Sequence, residues 1–164
     1  MKIGFDVISD LYLAPDENFN WEGKATSLYC LVPGNISNDL RTIRQTLAHL
    51  GRFYQGVFYC PGSLEYEDCL DISTRTQEIA KVSSTVKNTA LLHQHVVIVD
   101  SVAVLGVNGW YGNTQPADLI TEANIEVHRH EDIVYLKNSI DRLQRHLDVR
   151  TILLDRKSTR LNSS

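Results

Sequence analysis

Three segments of the chain place chemically capable side chains directly after an apolar run. Ser9-Asp10-Leu11-Tyr12 offers a carboxylate and a phenol. Pro33-Gly34-Asn35-Ile36-Ser37 offers a carboxamide and a hydroxyl, and Pro61-Gly62-Ser63-Leu64-Glu65 a hydroxyl and a second carboxylate. One strong anionic ligand, Asp10, beside neutral oxygens suits a weakly held Mg²⁺ or Mn²⁺ that keeps most of its waters. Neither Pro-Gly segment has the Gly-x-x-x-x-Gly-Lys-Ser/Thr spacing that cradles phosphates, so nucleotide triphosphate hydrolysis is not indicated.

Other candidates are weaker. His93 and His95, and His128 and His130 around Arg129, are i, i+2 pairs that could share a metal in an extended segment, but no carboxylate or Cys spacing completes a site, and they read as half-exposed histidines. His49 and His146 fall near helix C-termini, where a partly cationic imidazole complements the dipole. Asn35-Ile36-Ser37 matches the glycosylation acceptor pattern by chance, since no secretory signal is expected. Asn108-Gly109-Trp110-Tyr111-Gly112 is an aromatic, glycine-bearing loop able to stack on a base or sugar, although Trp110 reads better as core. Cys30, Cys60 and Cys69, odd in number and without C-x-x-C spacing, read as reduced, mostly buried thiols.

The elements that must position these residues follow from periodicity. Lys2–Ser9 alternates as a buried strand, and the polar stretch Pro15–Lys24 is a surface loop. Ser27–Val32 is a second strand, closed by Pro33-Gly34. A helix follows, capped by Ser37 or Asn38, with Leu40, Ile43, Leu47 and Leu50 on one face and Gly51 as its stop. Val57–Cys60 is a third strand ended by Pro61-Gly62. Ser73–Asn88 reads as a helix, Val96–Asp100 with Val102–Val107 as a tight hairpin, Glu131–Leu147 as an amphipathic helix, and Thr151–Leu154 as a last strand. The Glu131–Leu147 stripe is Ile133, Leu136, Ile140, Leu143 and Leu147. This order is α/β, and in such folds sites lie at the carboxyl ends of strands.

In order, spacing and preceding strands, ISDLYL, LVPGNIS and VFYCPGSLEYE resemble the first three motifs of the calcineurin-like metallophosphoesterases, SDLHL, LAGDIS and VFYVPGNHE. VLGVNGW, residues 104–110, is similar to the family strand FLGTTLW, whose following loop lies beside the active cleft. The resemblance covers residues 1–154, and Thr151–Leu154 sits where the next His-bearing motif would begin. It implies a two-sheet β-sandwich flanked by helices, of which this chain supplies the N-terminal part. It also implies chemistry built on two divalent metals about 3.5–4 Å apart that hold a hydroxide in line with a phosphoryl group.

Carried over by position, Asp10 keeps the family's Asp, but Tyr12 stands where a His ligand belongs and Asn35 where the bridging Asp belongs. Ser63 replaces a metal-binding Asn, and Leu64 replaces the proton-donating His. Gly34, Gly62 and Glu65 keep the loop frame, with Asn108 and Trp110 beside the cleft. The implied metal site is Asp10 with weak help from Asn35 and Ser63, and no catalytic residue is assigned. The expectation is a non-catalytic binding or scaffold module whose cleft takes a protein or a small phosphorylated ligand. The alternatives are an active metal-dependent phosphoesterase with altered ligands and an unrelated α/β small-molecule binder.

The last ten residues, Asp155–Ser164, read DRKSTRLNSS, the codon-by-codon translation of the sequencing-adapter string GATCGGAAGAGCACACGTCTGAACTCCAGT. They are therefore expected to be adapter read-through, with the natural frame cut after Leu154. They are also expected to pack against nothing, and the hairpin and last strand to expose apolar side chains, favouring aggregation. The 164 residues carry a net charge of −4, with 43% hydrophobic and 22% charged residues. Without the tail, 13 basic residues face 19 acidic ones, a net of −6. This composition suits one globular domain and gives no basic stripe for duplex nucleic acid. No apolar stretch approaches the roughly 20 residues that span a bilayer, so a cytoplasmic protein is expected.

Overall fold

Along β2 (Tyr29–Pro33) and β3 (Gly56–Cys60), successive side chains enter two different apolar surroundings. Cys30, Val32, Val57 and Tyr59 pack with Ile43, Leu47 and Leu50 of α1 (Leu40–Leu50) and with Ile72 and Ile79 of α2 (Ile72–Ser84). Leu31, Phe58 and Cys60 face the other way, onto Val102 and Val104 of β6 (Val102–Val107) and Leu154 of β7 (Arg150–Asp155). Side chains one residue apart point to opposite faces of a sheet, so strands covered on both faces must be apolar throughout, as these are. The same alternation on β6 sends Ala103 and Leu105 outward against Leu143, Tyr135 and Leu136 of α3 (Leu119–His146). The result is four layers: helices α1 and α2, a first sheet, a second sheet, and helix α3.

The computed structural model describes residues 3–108, 110, 119–146 and 149–155. The first sheet is parallel, in the order β1 (Phe5–Val7), β2, β3, β4 (Thr89–Leu91). The helices α1 and α2 supply two of the three crossovers that this parallel ladder requires, and the loop 8–28 supplies the first. The second sheet has the order β5 (His95–Val99), β6, β7, with β5 antiparallel and β7 parallel to β6. The sandwich flanked by helices is thus as expected, and so is the tight hairpin, whose Val99 and Val102 pair across Asp100-Ser101.

Several boundaries move, each for a local reason. The first ladder covers Phe5–Val7, shorter than Lys2–Ser9, because from Ile8 onward the chain bonds first Leu31 and then the loop after β2. Asp39, not Ser37 or Asn38, caps α1: its carboxylate accepts from Thr42 N at 2.7 Å, while Ser37 Oγ accepts from Asp39 N one step earlier. Gly51 ends that helix as expected. Asp71 caps α2, which stops at Ser84 instead of Asn88 because the chain must turn into β4.

Helix α3 begins at Leu119, well before Glu131. Its covered face runs through Ile125, His128, Asp132, Tyr135, Ser139 and Leu143, while Ile133 is 43% exposed. This stripe is half polar: of the expected apolar positions Leu136, Ile140 and Leu143 are covered and Ile133 is not, and polar residues fill the rest of the covered face. The exposure expected of the hairpin is met at Ile98 on β5, as it is at Leu153 on the last strand, whereas every residue of β6 is buried between its two neighbours. Asp155, assigned to the tail, pairs with Val107 as the last residue of β7, and residues 156–164 lie outside the described residues.

Candidate functional site

The carboxyl ends of β1, β2 and β3 lie side by side because their strands are parallel neighbours, and the first two of their loops are stitched together by backbone. Asp10 N donates to Gly34 O, Tyr12 N to Asn35 O and Leu13 N to Ile36 O, at 3.2, 3.0 and 2.8 Å. The two Pro-Gly pairs meet back to back. A Cβ on Gly34, whose φ is +70°, would lie 2.4 Å from Gly62 N and 2.6 Å from Gly62 Cα. A side chain there is excluded by both space and conformation.

Glu65, in the short 3₁₀ turn Leu64–Tyr66, clamps the second and third loops from inside. Its side chain accepts from Asn35 N at 3.0 Å, Ile36 N at 2.8 Å and Gly62 N at 2.8 Å. Burial pushes its carboxyl above the usual range, against the downward pull of these backbone amides. Arg75 of α2 adds a second latch, donating to Glu65 O at 2.8 Å and to Asn38 O.

Asn35, 1% exposed, is the junction of all three loops. Its amide nitrogen donates to Asp10 Oδ1 at 3.1 Å and to Tyr12 OH at 2.9 Å, and its Oδ1 accepts from Leu64 N at 3.1 Å. A backbone N–H can only donate, so Leu64 fixes which end of the amide is oxygen and turns the NH₂ toward Asp10. Asp10, Tyr12 and Asn35 have φ of 59°, 49° and 57°, in the left-handed region that Asp and Asn tolerate and Tyr seldom visits. Asp10 and Tyr12 are exposed, Leu64 is half-buried, and Ser63 is exposed at the N-terminus of the turn.

This donor set does not fit the two-cation centre that the resemblance brings with it. The group between Asp10 and Tyr12 is an N–H donor, which repels a cation, and the amide's one good ligand atom is turned to Leu64 N. Among the described residues, no group of three or more His, Cys, Asp or Glu side chains could hold a metal ion.

The remaining candidates separate. Trp110 is 7% exposed, edge-on to Tyr66 with ring centroids 4.8 Å apart and tilted over His128 at 5.5 Å, so it is core as expected. Asn108 is 4% exposed beside it. Gly109, Tyr111 and Gly112 lie outside the described residues. His93 and His128 come into one neighbourhood with Asp132 and Glu131, and burial lowers the basicity of His93. His130 lies on a helix, so the extended geometry assumed for its pairing with His128 does not occur.

His49 corrects the expectation of a partly cationic imidazole. Its Nε2 accepts from Trp21 N at 2.9 Å, which needs the neutral ring, and burial beside Arg52 lowers its basicity. The side chain of His146 lies outside the description. The buried Asn35 also leaves its acceptor triplet no room for a glycan in the folded chain. Arg75 was missed because its sequence neighbourhood marks it only as one more helix-surface base.

No family model matches the chain, and no curated protein matches it. Among solved structures it is similar to the phosphopantetheinyl hydrolase (PptH) of Mycobacterium tuberculosis. The TM-score is 0.54 at 16% identity, over 92% of this chain and 67% of that one. At that identity the likeness is one of fold: a helix-flanked α/β sandwich of parallel and mixed sheets shared with a hydrolase.

Proposed function

We propose that this chain is a non-catalytic binding or scaffold module on a phosphoesterase-like fold, with its site at the ends of β1, β2 and β3. The observation that supports this reading is the Asn35 amide nitrogen held between Asp10 and Tyr12, where a di-metal hydrolase needs anionic ligands. Leu64, at the position of the family's proton donor, has no proton to give. The cleft takes a small phosphorylated ligand or a protein segment. The similar solved structure is named for phosphopantetheinyl hydrolysis, which makes a phosphopantetheinyl compound the first ligand to try. No helix among the described residues is long and apolar enough to cross a membrane, and the three free cysteines suit a reducing compartment such as the cytoplasm.

The test is metal content together with hydrolysis of a generic aryl phosphate and a phosphodiester in Mn²⁺. The expected result is no stoichiometric metal and no turnover above buffer. Metal-dependent turnover that disappears in Asp10→Ala would overturn the proposal in favour of an active phosphoesterase with altered ligands.

A further inference from the structure

We infer that the Asn35 side chain is a built-in, uncharged substitute for a cation at the junction of the three loops, and that Asn35→Asp alone makes the junction depend on a divalent ion. The inference deepens the non-catalytic reading and rests on it. Three facts carry it. The amide is 1% exposed, so it is an internal cross-link. Its nitrogen joins an anionic oxygen at 3.1 Å and a phenol oxygen at 2.9 Å, both from the first loop. Its oxygen holds the third loop through Leu64 N at 3.1 Å, so the amide cannot rotate without breaking that bond.

Replacing the NH₂ by an oxygen keeps the shape and the bond from Leu64 N but sets two carboxylates about one hydrogen-bond length apart. Like charges so placed cannot both stay ionised at low cost. Glu65 cannot relieve them, since its oxygens are turned to Asn35 N, Ile36 N and Gly62 N. The pair then takes up a shared proton, the loops part, or a dication displaces that proton and enters between the carboxylates. Tyr12 OH and water would complete an oxygen shell of the kind Mn²⁺ and Mg²⁺ accept.

The experiment is thermal unfolding of the whole chain as wild type, as Asn35→Asp and as the exchange Asp10→Asn with Asn35→Asp, each with EDTA and with millimolar Mn²⁺. The wild-type midpoint should be the same in both. Asn35→Asp should unfold about 5 °C or more below wild type in EDTA and recover most of that in Mn²⁺. The exchange restores one amide and one carboxylate, so it should recover without Mn²⁺ and ignore it. A wild-type midpoint raised by Mn²⁺, or an Asn35→Asp midpoint that ignores Mn²⁺, would overturn the inference. If Asn35→Asp alone does not fold, the exchange decides: folded and indifferent to Mn²⁺ supports the inference, unfolded overturns it. Turnover by wild type with an unmoved midpoint would overturn the non-catalytic reading and leave the cross-link standing. An Asn35→Asp midpoint that ignores Mn²⁺ would do the reverse.

Discussion

Glu65 shows how a single side chain holds a loop pair that has no regular structure of its own. Both of its oxygens are used, Oε2 by Asn35 N and Gly62 N and Oε1 by Ile36 N. Glu65→Gln keeps the volume but turns an NH₂ toward at least one of these donors. It should cost about 2–3 kcal/mol through one buried amide left unsatisfied, read as a lower denaturant midpoint with an unchanged slope. The residues at this site were legible as types at strand ends, and the approach of Asp10 to Asn35 follows once β1 and β2 are neighbours. The orientation of the Asn35 amide was not legible, because Leu64 N sets it from a loop 29 residues away in sequence. Nor was the left-handed conformation of Tyr12, which no propensity favours and which its bond to Asn35 O imposes.

Among the elements, β2, β3, β6 and α1 were readable because one physical cause, burial of alternate or helically spaced apolar residues, dominates each. Helix α3 was readable only in part, since His128, Asp132 and Ser139 share its covered face with apolar residues and Gln94 Nε2 donates to Asp132 Oδ1 at 3.1 Å. The polar loop Pro15–Lys24 was legible as surface, but not as a loop pinned to α1. Phe19 stacks on Trp21 and meets His49 edge-on, and Trp21 Nε1 donates to Tyr54 OH at 2.7 Å.

That clasp has a pH dependence with a definite sign. His49 takes the Trp21 N–H on a neutral ring, and burial with nearby Arg52 holds its basicity below the ordinary 6.5, against the opposite pull of Glu22. The unfolded chain then binds the proton more readily, so stability from this contact is full above pH 6.5 and is lost as pH falls below it. In a Trp110→Phe background, Trp21 fluorescence should stay constant above pH 6.5 and change as the pH falls below it, and His49→Gln should abolish that change.

For the whole molecule, the four layers place the second sheet's load on its middle strand. Leu105 is fully buried against α3, while Ile98 on the adjacent strand is 48% exposed. Leu105→Ala should cost about 2–5 kcal/mol in chemical denaturation, against less than about 1 kcal/mol for Ile98→Thr in the same sheet. Gly106 faces the other way, where a Cβ would come 2.5 Å from Leu92 Cβ, so no side chain fits between the strand and the first sheet at that point.

The bare contact between Gly34 and Gly62 carries a kinetic consequence. With no side chain between the loops, one carboxylate of the third loop takes the amides of Asn35 and Ile36 together, while its bond from Gly62 N stays within its own loop. When the second and third loops part, the Asn35 and Ile36 amide hydrogens are therefore released to solvent in one opening event and should exchange together, while that of Gly62 keeps its bond.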